Sequence, residues 1–162
     1  MLAMRALLEI ADVSKDREPV VPVVLAPLIM QVRLAIIRGL DEEFVGDPEV
    51  APLEITTAQF AILKNVLRGS ARSACDLCKA MEYDRGAMSR MIDRLEAKQL
   101  LRRVPLAHTR RTVALEVTEA GRAAFPKMEA CLDRVVARLL EGVSTDQVRQ
   151  AEAVLKRMLA NA

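Results

Sequence analysis

The sequence predicts a mainly α fold with a small β component (α+β), and three observations carry that prediction. Apolar residues recur at helical spacing through most of the 162 residues. One stretch, residues 101–118, instead alternates with period two around a polar turn. The aromatic residues are only Phe44, Phe60, Tyr83 and Phe125, so the core must be aliphatic, and Leu, Met and Ala favour helices.

Taken in order, residues 2–11 show a short helical pattern. Pro19, Pro22 and Pro27 should prevent a continuous helix through the segment between them, since proline lacks an N–H and crowds the preceding turn. A helix resumes from Leu28 to about Val45. Leu28, Ile29, Val32, Ala35, Ile36, Leu40 and Phe44 are apolar, and Met30, Leu34 and Ile37 close the other side. A helix apolar nearly all round is buried on most sides, and a partner subunit is the expected cover. Gly46 to Pro52 reads as a loop.

Thr56 and Gln59 form a capping box, with Ile55 and Phe60 placed to staple the entry of a helix running to about Leu67. Ser73 caps a short helix with Asp76 in its first turn and Leu77 and Met81 facing inward. Asp84 caps a third helix, in which Met88, Met91, Ile92 and Leu95 form one apolar stripe. Leu101–Leu106 and Thr112–Thr118 read as strands. Thr118 opens a long helix with Leu132, Val135, Val136 and Leu139 apolar, kinked at Pro126. Ser144 and Gln147 box the start of a last helix bearing Val148, Ala151, Val154, Leu155, Met158 and Leu159. This order is a winged helix-turn-helix flanked by terminal helices.

Charge follows the same organisation. Residues 84–122 carry nine Lys/Arg against five Asp/Glu, whereas residues 1–83 carry nine against twelve. The basic excess therefore falls on the helix-plus-hairpin segment, where a polyanion would be met. With its apolar stripe inward, the third helix turns Gly86, Arg90, Asp93 and Ala97 outward, flanked by Ser89 and Arg94. Arg90 can read guanine bidentately, and Ser89 can bond a base or a phosphate. Gly86 leaves room for the backbone, and Arg85 and Arg94 suit phosphates. Ser73, at the start of the preceding helix, is grouped with these DNA contacts. The turn holding His108, Arg110 and Arg111 places cations at a ribbon tip, suited to a narrow minor groove. The alternative for the helix residues is an ordinary solvated face.

The segments ITTAQFAIL, DRGAMSRMIDRLEAKQLLRR and RRTVALEVTEAGRAAFP together resemble the MarR family of transcription regulators, in order and spacing, from about Pro27 to the C-terminus. The resemblance implies a homodimer built by the first and last helices, each subunit presenting a recognition helix and a wing to a pseudo-palindromic double-stranded operator. The implied organisation is an N-terminal extension over 1–26, a dimerisation helix and loop over 27–52, the winged helix-turn-helix over 53–118 and C-terminal dimerisation helices over 119–162. The family usually places an Arg seven residues before the Thr opening the long helix, and an Asp two residues before that Arg. Thr118 points back to Arg111, but Thr109 occupies the Asp position. Arg111 thus lacks the carboxylate that would orient it, and Arg110 or His108 can share its role.

The resemblance also implies release of a repressor by a small aromatic acid or phenol held between the dimer helices and the DNA-binding lobe. Arg33 and Arg38, cations in an apolar helix, are candidates, with Phe60 lining the same cleft. A salt bridge to Glu42 or Glu43 explains those cations at least as well. Cys75 and Cys78 offer a rival, thiol-based redox reading, against which packing is favoured because Cys behaves as a small hydrophobe. Peroxide-sensing relatives carry their cysteine in the first helix, and none lies there. A third reading is a winged-helix module that binds protein. No cofactor, metal site or catalytic constellation is indicated, so an enzyme is not expected. Nor is a secretion signal or membrane span, so the expected location is the cytoplasm.

Overall fold

The computed structural model describes residues 21–105 and 113–161. Helix α1 spans Val21–Gly46 as one element, so the expected interruption by prolines does not occur. Pro22 falls in the first turn, where its missing N–H has no intrahelical partner to lose. Pro27, inside the helix, removes a single bond to the carbonyl four residues earlier, and the turns on either side carry the helix past it. Pro19, the pattern at 2–11 and residues 106–112 of the hairpin lie outside the described residues. A boundary between two compact units falls at Arg38/Gly39, within α1.

Within the single chain, this helix is covered only toward its C-terminal end. Leu28, Met30, Val32 and Leu34 are exposed, whereas Leu40 and Phe44 belong to the core. A 3-10 turn, Ala51–Leu53, leads through Glu54 (φ +46°) into α2, Thr57–Leu67. The Thr56 capping box is formed as predicted, the hydroxyl accepting the Gln59 N–H and Gln59 Oε1 accepting the Thr56 N–H. Ile55 and Phe60, the proposed staple, are both buried in the same core.

Helices α3 (Ala74–Met81) and α4 (Arg85–Ala97) follow, capped by Ser73 and Asp84. Strands β1 (Leu101–Pro105) and β2 (Val113–Val117) pair antiparallel, with Leu101 opposite Val117 and Arg103 opposite Leu115. A further main-chain bond, from the Leu115 N–H to the Arg72 carbonyl at 2.9 Å, joins β2 to the residues leading into α3. The core lies where these elements meet. Ile62, Leu63, Leu77, Met88, Ile92 and Leu95 are fully buried there.

Helix α5, Glu119–Leu139, runs through Pro126, and α6 covers Thr145–Ala160 behind a Ser144–Gln147 capping box. At the start of α5 the Thr118 hydroxyl accepts the Gly121 N–H at 3.0 Å and donates to the Gln99 carbonyl at 2.5 Å. Gly121 is required by close approach: a Cβ there would stand 2.6 Å from Val117 Cγ1 and run into the Leu100 carbonyl oxygen. Helix α6 buries none of its residues in the single chain, and Val154, Leu155, Met158 and Leu159 are exposed along it. None of the described helices is long and apolar enough to cross a membrane.

Candidate nucleic-acid interface

The outward face of α4 is set by what its inward face buries. Met88, Ile92 and Leu95 have no exposed surface, which fixes the helix rotation. Arg85, Gly86, Ser89, Arg90 and Arg94 are consequently exposed. Asp84 fixes the N-terminus, its Oδ1 accepting the Ala87 N–H at 2.8 Å. The Arg90 guanidinium folds back along the first turn, because a Cβ added at Gly86 would lie 3.4 Å from Arg90 Nη1. A side chain at position 86 would therefore meet both Arg90 and the cap.

Electrostatics separates the cations of this face from its carboxylates. Among the described residues, Arg85, Arg90 and Arg94 form no ion pair, whereas Asp93 and Glu96 are both taken by Arg103 of β1. On the other face of the hairpin, Arg102 pairs with Glu116 directly across the strands at 2.7 Å. At the far end of α4, Lys98 Nζ donates to the carbonyls of Leu53 and Glu54 at 2.6 and 2.5 Å. That bond ties the end of the helix to the turn that opens the domain.

Ser73 is placed differently from the other predicted contacts. It is half-buried, and its hydroxyl donates to Asp76 Oδ2 at 2.8 Å while accepting the Asp76 N–H. The Ser73 hydroxyl, with the Arg72 and Ser73 N–H groups, holds the Asp76 carboxyl below its usual range. Its side chain is thus first a helix cap. His108, Arg110 and Arg111, with the departure at Thr109, lie outside the described residues.

The effector candidates sit in two different settings. Phe60 is buried, stacked on Phe125 with centroids 5.4 Å apart and edge-on to Phe44 at 5.8 Å. It belongs to the core. Arg33 and Arg38 are exposed, so the argument from the cost of burying their charge does not apply to the single chain. Glu43, offered as their partner, instead accepts from Arg134 and Arg138, each at 2.6 Å. Those three residues, with Glu42, Gly46, Asp47 and Pro48, line an open cleft of about 370 Å³.

Of the cysteines, Cys75 is exposed and Cys78 is half-buried against the core. Cys131 is buried, and burial pushes its thiol pKa up, which suits packing rather than thiolate chemistry. Among the described residues no group of three His, Cys, Asp or Glu side chains could hold a metal ion.

Sequence reasoning missed Arg103, Lys98 and Arg134. Strand alternation could put the Arg103 charge on the same face as buried Leu101, but it carries no signal for its partners on α4.

Comparison with known proteins agrees with this geometry. A MarR family model matches residues 53–112. The multiple antibiotic resistance protein MarR of Escherichia coli (strain K12) is 30% identical over 111 residues, covering 68% of this chain and 77% of that protein. The crystal structure of its wild-type apo form superposes with a TM-score of 0.71 at 29% identity, over 83% of this chain and 96% of that one. A cysteine-to-serine MarR mutant from E. coli, solved with operator DNA, gives 0.69 at 29% identity over 83% and 93%. The transcriptional regulator BldR from Sulfolobus solfataricus shares the fold, with a TM-score of 0.74 at 23% identity over 90% and 99%. With its capped, outward-basic α4 and paired wing strands, this chain belongs to the MarR family of DNA-binding transcription regulators.

Proposed function

We propose that the chain acts in the cytoplasm as a homodimeric repressor of a pseudo-palindromic operator, released by a small aromatic acid or phenol. The observation that carries the DNA-reading part is the outward face of α4. Three arginines without ion-pair partners among the described residues surround Gly86 and Ser89. Arg90 is the base reader, Ser89 its polar neighbour, and Arg85 and Arg94 the phosphate contacts. Arg111, with Arg110 and His108, is assigned to the minor groove. The apolar exposure of α1 and α6 supports dimerisation, since solvent-facing apolar stripes of this length mark partner surfaces. Arg33 and Arg38 are the cations we assign to the effector's anionic group.

Arg90→Ala tests this reading on a duplex enriched by the wild-type protein from a random-sequence pool. The expected loss is about 1–3 kcal/mol of specific binding, with relaxed preference at one base position. Arg111→Ala should weaken binding more uniformly across sequences. Equal affinity of Arg90→Ala and wild type for the enriched duplex would sink the assignment of α4 as the reader.

A further inference from the structure

The face of α4 that reads DNA also carries carboxylates. Asp93 lies three residues beyond Arg90 on the same outward side, the spacing at which helical side chains of opposite charge pair. An Arg90–Asp93 pair would withdraw the guanidinium from bases, and a free Asp93 would repel phosphates. Neither Arg90 nor Arg94 takes such a partner among the described residues. Asp93 Oδ1 accepts instead from Arg103 Nη2 at 2.8 Å, and Glu96 Oε2 accepts from Arg103 Nη1. Glu96 Oε1 also takes the Arg103 backbone N–H at 2.9 Å, which fixes the carboxylate to β1. One guanidinium thus spans two carboxylates through two nitrogens held in a rigid fork, which the single nitrogen of an ammonium cannot reproduce.

The position of Arg103 in the strand makes this arrangement specific. It shares a face with Leu101, and its cross-strand partner Leu115 is buried. An apolar residue would satisfy the strand alternation there. A cation at that position turns its charged end toward α4.

We infer that Arg103 is a positioning residue for DNA reading: by holding Asp93 and Glu96 on the wing side, it leaves Arg90 and Arg94 to the DNA. This rests on the assignment of α4 as the reader. Without Arg103, two carboxylates are released beside a polyanion, one of them within reach of Arg90. Affinity then falls although Arg103 itself touches no base.

The test is a double-mutant cycle on the full-length chain, using the duplex enriched by the wild-type protein from a random pool. Arg103→Met should weaken binding roughly tenfold at moderate salt, the scale of one or two freed charges near phosphates. Asp93→Asn with Glu96→Gln should leave the wild-type affinity unchanged or modestly tighter, because Arg103 already offsets one of the two carboxylate charges. The same two changes in the Arg103→Met background should restore affinity to at least the wild-type level. Arg103→Lys, with the charge but not the fork, should fall between wild type and Arg103→Met.

A merely structural role would leave the triple variant as weak as Arg103→Met, and a direct phosphate contact would do the same. Either result overturns the inference, as does wild-type affinity in a folded Arg103→Met. If Arg103→Met melts early, Arg103→Lys and the triple variant still decide the matter. Arg90→Ala, run alongside, separates the two claims. If it binds like wild type, the reader assignment fails and this inference with it. If it loses binding while the cycle shows no coupling, only the role of Arg103 fails.

Discussion

Replacing Gly121 with alanine sets two effects of opposite sign against each other. Alanine is favoured over glycine within a helix by about 0.8–1 kcal/mol, so propensity alone predicts a more stable protein. The new methyl, however, would stand 2.6 Å from Val117 Cγ1 and against the Leu100 carbonyl oxygen. Val117 is buried, and its side chain has little room to turn away. The Leu100 carbonyl already accepts the Thr118 N–H at 3.2 Å, so moving it strains that bond as well. Overpacking of this kind costs about 1–3 kcal/mol, and a weakened buried hydrogen bond adds about 1 kcal/mol. The net expectation for Gly121→Ala is a loss of about 1–3 kcal/mol. Urea denaturation should show a lower midpoint with an unchanged slope. Two other glycines calibrate the reasoning. Gly46, in α1 with nothing within 4 Å of a Cβ, should gain up to about 1 kcal/mol as alanine. Gly39 would meet only the Val135 side chain, at 2.9 Å, and should fall between the two. If Gly121→Ala proved as stable as wild type, the argument that backbone crowding forces this glycine would be refuted.

Leu155→Asp should shift the protein toward the 17.9 kDa monomer in sedimentation at micromolar concentration, since it charges the exposed apolar stripe of α6. A wild type that sediments only as monomer would remove the dimer from the proposal. The acid side of the stability profile should depend on Arg134. Its hydrogen bond is the largest cause holding the Glu43 carboxyl below the ordinary value of 4.5, with Arg138 adding to it. A carboxylate whose folded pKa is lowered stabilises the fold above its unfolded value, and that stabilisation is lost as pH falls below about 4.5 through the folded value. Arg134→Met should therefore flatten the decline of melting temperature below pH 4.5 relative to wild type. An unchanged profile would rule out Arg134 as its source.

The parts of this fold legible in the sequence are those set by local rules. The capping boxes at Thr56 and Ser144 were readable because a hydroxyl and an amide three residues apart satisfy each other's backbone partners, and Ser73 was readable as a cap, although its reciprocal bond with Asp76 was not. The rotation of α4 followed from a single apolar stripe, and with it the exposure of Arg85, Ser89, Arg90 and Arg94. The start of α1 was misplaced because proline is read as a breaker, although Pro22 lies in a first turn and Pro27 costs one bond in a long helix. The roles of Arg103 and Lys98 were not legible. Their partners lie on other elements, Asp93 and Glu96 on α4 for Arg103 and the Leu53 and Glu54 carbonyls for Lys98, and no local spacing encodes such meetings. Phe60 was offered two roles, and only the packing of Phe44 and Phe125 around it decides for the core.

Four of the bonds that hold the reading end together end on main-chain carbonyls: Leu115 on Arg72, Thr118 on Leu100, and Lys98 on both Leu53 and Glu54. A carbonyl is present whatever side chain a residue bears, so these ties do not depend on the side chains that face outward from α4. Positions 85, 89, 90 and 94 can therefore be rewritten while the frame beneath them persists. Such a chain can acquire a new preferred DNA sequence through a few substitutions on one helix, without first having to find a new fold.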